Sequence, residues 1–363
     1  MRIVVDINHP AHVHCFRNFI RAVERDGHQV LITATKKDIS LKLLDSLGYE
    51  YINLGSYGDS LFKKLLNLPV IDLRMYRAVK AFDPDMFIGL GSIRAAHVAF
   101  ALRKASIVID DTEISREQML LFLPFVDVVC TPEYFRLDLG KKQVRFNAYK
   151  ELAYLHPKYF TPDHSVLDRL GLKSDERFIV VRFITWGASH DVGQHGIVDR
   201  LAFVQELEKY GRVLISSEGE LGPEFEKYRI DLPLEKVHDL LYYAALYVGE
   251  GGTTATEAAL LGTHSILIDT TAERCGNFYD LSSYGLLWFT GDTAEGMGIA
   301  KKLLDDPDIK AKGRQKLQKL LGEKIDINEF MVWFVENYPE SFSMMKADPD
   351  IQYRAGRGNR TMT

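Results

Sequence analysis

Residues 238–269 read HDLLYYAALYVGEGGTTATEAALLGTHSILID. The pattern predicts a helix, a short apolar strand, a glycine-rich turn, a second helix and a second strand. The turn is Glu250-Gly251-Gly252-Thr253-Thr254, with the new helix starting near Thr253. Two adjacent glycines allow unusual dihedrals and a close approach of backbone to ligand. The first N–H groups of a helix have no internal partner, and the positive end of the dipole lies behind them. A phosphate or diphosphate suits such a place. Glu257, one turn further on, can accept hydrogen bonds from sugar hydroxyls. The turn is not a P-loop, because no Gly-Lys-Ser/Thr follows, and it is not a GxGxxG fingerprint.

The same alternation extends both ways along the chain. Upstream, short Val- and Ile-rich runs at 2–7, 29–33, 86–88, 106–109 and 126–130 predict strands. Helices fit between them at 14–25, 39–47, 61–82, 93–103 and 116–123. An irregular stretch, 131–163, holds Pro132, Pro157 and Pro162. The rhythm then resumes with strands at 178–183, 213–216, 246–248, 265–268 and 286–289. Helices follow at 197–209, 234–244, 253–261 and 294–305, with a final helical region at 309–337. Strand–helix alternation of this kind implies βαβ units and parallel sheets. The fold class is therefore α/β, with two doubly wound Rossmann-like domains facing a central cleft. The expected division is 1–155, 156–340 and a C-terminal tail 341–363, with a hinge near 150–163 and a mobile last dozen residues.

A formal charge of −5 offers no basic excess for nucleic acid. Cys15, Cys130 and Cys275 are odd in number and far apart, so neither a disulfide framework nor a zinc site is expected. The first residues read as a buried strand and are too short for a signal peptide. No apolar run reaches the ~18 residues that a spanning helix needs. A cytoplasmic protein is the simplest expectation.

Ligands of doubly wound sheets bind outside the carboxyl ends of the strands. The loops at those ends are the candidate sites. After the first strand come Asn8, His9, His12 and His14, and histidine suits a general base or a phosphate contact. Gly89, Gly91 and Ser92 repeat the strand–glycine–helix logic on what would be the acceptor side. Asp110, Asp111 and Glu113 place three carboxylates after a buried strand, where they must be solvated, paired or used. In the second half, Arg182 can form charge-assisted bonds to a diphosphate. Trp186, Ser189 and His190 can shape a pocket, and Ser217 and Glu218 can meet a base or ribose. Residues 61–80, LFKKLLNLPVIDLRMYRAVK, mix apolar and basic side chains. Such a helix either packs on the core or rests on an anionic membrane through Lys63, Lys64, Arg74 and Arg77.

Together these loops resemble GT-B glycosyltransferases and the related nonhydrolysing UDP-sugar 2-epimerases. The UDP-N-acetylglucosamine transferase of peptidoglycan synthesis is similar at three places: Ala11-His12-Val13, Pro84-Asp85 through Ser92, and Gly251-Gly252-Thr253 through Glu257-Ala258-Ala259. Nearly the whole chain resembles the domain-of-unknown-function family numbered 354. The residues that carry this resemblance are His9-Pro10-Ala11-His12-Val13-His14, Asp110 to Glu113, Tyr149 to Leu155, and Trp186 to Gly193. The likeness implies a GT-B-like fold with a nucleotide-sugar donor held mainly by the C-terminal domain. It also implies a metal-independent transfer of an N-acetylhexosamine from a UDP-sugar to a glycan or lipid-linked acceptor, in glycan or polysaccharide synthesis. In that scheme His12 or His14 is the base, and Arg182 with residues Gly251 to Thr254 stabilises the leaving diphosphate. No further cofactor is required, and peripheral contact with the inner face of a membrane is compatible with it. Two alternatives are a UDP-N-acetylglucosamine 2-epimerase, whose expected His-Arg-Arg-Glu-Asn pattern is absent, and a non-catalytic nucleotide-sugar-binding protein.

Overall fold

The structure, a computed structural model, describes residues 1–36, 39–58, 61–184, 196–217, 219 and 221–355; for 61–65 and 234 it describes the main chain alone. The chain divides into two units, 1–154 with 325–363, and 155–324. Each carries one parallel sheet.

The sheet of the first unit holds β1 (Arg2–Ile7), β2 (Gln29–Ala34), β3 (Tyr51–Asn53), β4 (Met86–Leu90), β5 (Ala105–Ile109), β6 (Val128–Pro132) and β7 (Gln143–Phe146). Their order is β3-β2-β1-β4-β5-β6-β7. Helices on both faces explain why these strands read as unbroken apolar runs: Ile3, Val4, Val5 and Ile7 are all buried. The first helix, Pro10–Arg25, starts four residues earlier than expected. Pro10 fits the first turn, where its missing N–H costs nothing. His9 caps it by accepting a hydrogen bond from the Ala11 N–H. The two edges of the sheet differ more from expectation. β3 is only three residues long, and β7 lies inside the stretch that read as irregular.

The sheet of the second unit holds β8 (Phe178–Phe183), β9 (Arg212–Ser217), β10 (Leu246–Gly249), β11 (Ser265–Ile268) and β12 (Leu287–Thr290), in the order β12-β11-β10-β8-β9. Its core joins Ile179, Val181, Val248 and Ile266 to helix residues such as Val204 and Leu304.

The end of the chain departs from the expected division into 156–340 and a tail 341–363. The helical region expected at 309–337 is two helices, Ile309–Glu323 and Ile327–Glu336. Asp326 caps the second by accepting from the Asn328 and Glu329 N–H groups. That helix belongs to the first unit: Asn328 donates to the Ala153 carbonyl, and Phe330 lies 5.5 Å from the Phe146 ring. Residues expected in the tail also form helices, Glu340–Ala347 and Gln352–Ala355. The Gln352 side chain accepts the Asn147 N–H. Buried apolar and amide contacts of this kind order the segment. Residues 356–363 lie outside the described residues.

Candidate functional site

In the second unit the connections run from β8 outward to β9, then return to β10 on the other side of β8. That reversal opens a crevice at the carboxyl ends of the strands, where ligands of such sheets sit. A pocket of about 230 Å³ occupies it. Arg182 enters from β8, Ser216 and Ser217 from β9, and Tyr247 from β10. Ile215, Ile230, Leu232 and Val237 give it apolar walls, and Thr254 brings in the first turn of the helix Gly252–Leu260. Arg182 Nη1 donates to the Ser216 hydroxyl at 2.9 Å, which orients the guanidinium. The structure thus brings together three of the expected donor residues, Arg182, Ser217 and Thr254. No local pattern marks Arg229, Ile230, Leu232 and Val237 as pocket residues. They arrive on the segment between β9 and β10, where Ile230 donates its N–H to the Ile215 carbonyl alongside β9.

The glycines of the turn have a different cause from the one expected. Gly251 has φ −96° and ψ 111°, and neither it nor Gly252 has positive φ. Crowding excludes a side chain at Gly252, where a Cβ would lie 2.7 Å from Phe278 Cζ; one at Gly251 would meet Ile184 and Arg182 Nε at 3.4 and 3.5 Å, ordinary contact distances. The first intrahelical bond runs from the Ala255 N–H to the Gly251 carbonyl. No side chain caps Gly251, so the N–H groups of Gly252, Thr253 and Thr254 precede that bond.

Glu250 is the residue whose role the sequence reading missed. It is buried, and its carboxylate accepts the N–H groups of Ile184 and Ile197, each at 2.9 Å. Arg200 pairs with it at 2.8 Å and lies over the Phe183 ring. One carboxylate therefore ties both flanks of the segment after β8 to the glycine turn. Glu257, expected to hold a ribose, is mostly buried and accepts from His238 Nε2 at 3.0 Å. Trp186, Ser189, His190 and Glu218 lie outside the described residues.

In the first unit the corresponding reversal lies between β1 and β4. There Asp6 and Arg94 form a buried pair at 2.8 Å. Asp6 also accepts from Thr33 and Ser92, and Arg94 donates to the Ile7 carbonyl, Thr35 and Tyr57. Ser92, expected on the acceptor side, is fully buried. Its hydroxyl donates to Asp6 and accepts the Ala95 N–H as a helix cap, so its role is structural. Gly89 pairs in register with Asp6, and a Cβ there would lie 2.7 Å from Ser92 Cβ. Gly91 needs glycine for its φ of +49°. Asn8, His12 and His14 are half-buried at the same sheet edge. The His9 and His12 rings are 5.9 Å apart, and His14 is 5.2 Å from the Tyr154 ring.

The acidic loop after β5 is a built cluster. Lys150 forms an ion pair with Asp111 and lies 3.4 Å from Glu151. Burial works against the ammonium charge, but those two carboxylates outweigh it and hold Lys150 above the usual lysine range. Asp110 accepts the Thr112 N–H, yet burial, reinforced by the charge of Asp111, pushes its carboxyl up to about 7. Near neutral pH the cluster thus holds an ammonium group and a carboxyl that is about half protonated. Glu113 is buried and accepts the Arg136 N–H, holding the loop after β6. Asp111 and Glu113 are candidates on sequence alone. Lys150 and Glu151 complete the cluster from after β7, a strand that the reading missed. Among the described residues, no group of three or more His, Cys, Asp or Glu side chains is placed to hold a metal ion.

Two parallel α/β sheets with this order place the chain among proteins of GT-B-like fold. The chain superposes on a putative UDP-N-acetylglucosamine 2-epimerase from Listeria monocytogenes with a TM-score of 0.70 at 15% identity, over 93% of this chain and 96% of the other. An S. aureus structure described as an MnaA–UDP co-structure matches at 0.69 and 11%, over 94% and 98%. The spinosyn forosaminyltransferase SpnP matches at 0.60 and 13%, over 95% and 99%. At these identities the likeness is one of fold. The chain belongs to the family described as proteins of unknown function, DUF354, whose model matches residues 1–333. An uncharacterized protein from Methanocaldococcus jannaschii is 24% identical over 275 residues, covering 72% of this chain and 80% of its own.

Proposed function

We propose that the protein is a glycosyltransferase that moves a sugar, an N-acetylhexosamine, from a UDP-sugar to an acceptor hydroxyl in glycan or polysaccharide synthesis. The observation that carries this reading is the second-unit pocket, whose lining combines apolar walls, Arg182 and Thr254 from the first turn of the helix Gly252–Leu260. Apolar walls suit a nucleobase. Arg182 and the N–H groups of Gly252, Thr253 and Thr254 suit a diphosphate. In the transfer, the bond from the anomeric carbon to the β-phosphate oxygen breaks, and the acceptor oxygen takes its place. Charge grows on the departing UDP, where Arg182 and those N–H groups oppose it. The acceptor proton passes to a base, which we assign to His12 or His14. Donor binding belongs to 156–324 in this reading, and acceptor handling to the first unit, with a glycan or lipid-linked acceptor. The proposed site includes no metal.

A thermal-shift screen with UDP, GDP, CMP and their sugars tests this. A bound ligand raises the melting temperature by mass action. UDP and UDP-N-acetylhexosamines should give the largest shifts. A preference for GDP or CMP would replace the donor, and no shift at millimolar ligand would sink the reading.

A second reading, 2-epimerisation of UDP-N-acetylglucosamine, draws on the same pocket. It is favoured by Asp110, whose carboxyl can both give and take a proton near pH 7. Incubation with UDP-N-acetylglucosamine alone in deuterated water separates the two, because an epimerase places deuterium at C2 and a transferase does not.

A further inference from the structure

Five large apolar side chains of the first unit stand in solvent on three neighbouring helices. Leu66, Val70 and Leu73 are 59%, 45% and 47% exposed on the helix Leu61–Lys80. Phe100 is 61% exposed on Ile93–Leu102, and Leu120 is 73% exposed on Arg116–Phe122. Spacing of three and four residues puts Leu66, Val70 and Leu73 in one stripe. The inner faces of these helices are already satisfied: Ile71, Met75 and Val79 pack with Ala95, Val98 and Ala99, and Met119 and Phe122 are buried. The exposed residues are therefore additional to the core.

One junction joins the three helices: His97 Nδ1 lies 2.8 Å from Asp72, and its Nε2 lies 2.9 Å from the Leu121 carbonyl. Asp72 precedes Leu73, Leu121 follows Leu120, and Phe100 lies one turn beyond His97. Leu73, Phe100 and Leu120 thus each lie within one helical turn, along the chain, of a residue of that hydrogen-bonded junction. Phe100 further packs edge-on against Phe125 at 5.4 Å. Beyond Leu73 the same stripe continues as exposed Arg77 and Lys80, and Arg103 stands exposed just past the helix bearing Phe100. Among acidic residues of these helices, Asp72 is tied to His97, and Glu117 is exposed next to exposed Arg116.

We propose that this face docks the protein on an anionic lipid bilayer. Exposed apolar patches on three adjacent helices mark an interaction surface. A cationic margin, on a chain whose net charge is −5, selects an anionic counterpart. Leucine and phenylalanine side chains enter the boundary between headgroups and acyl chains, while Arg77, Lys80 and Arg103 meet the phosphates. The inference does not depend on the nucleotide pocket, which lies in the other unit.

The test is flotation of the full-length protein with phosphatidylcholine vesicles, with and without phosphatidylglycerol. The wild type should float with the anionic vesicles and remain below with the neutral ones. A Phe100→Glu/Leu120→Glu variant should lower the bound fraction by about tenfold or more, given what burying two such side chains contributes. Arg77→Glu/Lys80→Glu should do so in a salt-sensitive way. All four positions are exposed, so the variants should melt with the wild type and keep its response to UDP. Wild-type protein that stays unbound with anionic vesicles overturns the proposal, as does apolar-to-acidic substitution without effect. A wild-type dimer by light scattering that the double variant converts to monomer also overturns it, because the face then serves self-association. Failure of UDP to bind the wild type would instead count against the nucleotide reading alone.

Discussion

Replacing Asp110 with asparagine should stabilise the protein above neutral pH. The carboxyl titrates at about 7 in the fold, against 3.8 as the ordinary value. A carboxyl whose folded value is raised binds its proton more tightly folded than unfolded. Stability from this group is therefore complete below about pH 4, declines as pH rises toward 7, and is level above that. Each pH unit between the two values is worth about 1.4 kcal/mol, so the full interval amounts to about 4 kcal/mol. Asparagine retains an oxygen for the Thr112 N–H bond at 3.1 Å and cannot ionise. The attraction of Lys150 for an ionised Asp110 is already contained in the value of about 7, so the gain at pH 8 should approach the full interval, about 4 kcal/mol. Urea unfolding of both proteins from pH 5 to 8.5 measures it. The gap should be smallest at the acid end, about 1–2 kcal/mol at pH 5, and widen as pH rises. An Asp110→Asn variant no more stable than wild type at pH 8, or a difference that does not change with pH, would refute the assignment of a protonated carboxyl to this cluster.

Two other substitutions address the packing that positions the sites. Arg94→Met leaves Asp6 buried without its charged partner and should cost about 3–5 kcal/mol in urea unfolding; a loss under about 1 kcal/mol would show that Asp6 sheds its charge or finds water. Gly252→Ala drives a methyl against Phe278 and should cost about 1–3 kcal/mol in thermal unfolding. Phe278→Leu in the same chain should recover most of the loss, and no recovery would show that crowding by that ring does not explain the glycine.

Local patterns in the sequence carried most of the fold. Strands at β1, β2, β4, β8, β10 and β11 announced themselves as buried Val- and Ile-rich runs, and their alternation with helices dictated parallel sheets. β3 and β7 escaped because each has only three or four residues and little apolar content. The return of 325–355 to the first unit could not be read locally, since it rests on Asn328 meeting Ala153 and on Gln352 meeting Asn147, far apart in the chain. One clue was present: Asp326 with Glu329 three residues later is a helix-start pattern. The candidate sites divide in the same way. Arg182, Ser217 and the glycine turn lie at or just beyond the carboxyl ends of strands and were identifiable. Arg94 and Glu250 were not, because an arginine inside an alanine-rich helix and a glutamate in a turn both read as solvated until distant partners bury them. Lys150 joined Asp111 only through the sheet.

The central claim is that the second unit holds a nucleoside diphosphate, with the base between apolar walls and the diphosphate at the start of the helix Gly252–Leu260. Calorimetric titration with UDP and with uridine tests it most directly. UDP should bind at least about tenfold more tightly than uridine, because charge-assisted bonds contribute about 1.5–3 kcal/mol each, and Arg182→Ala should remove most of that difference. Equal affinities for UDP and uridine, or no binding of UDP at all, would contradict the account.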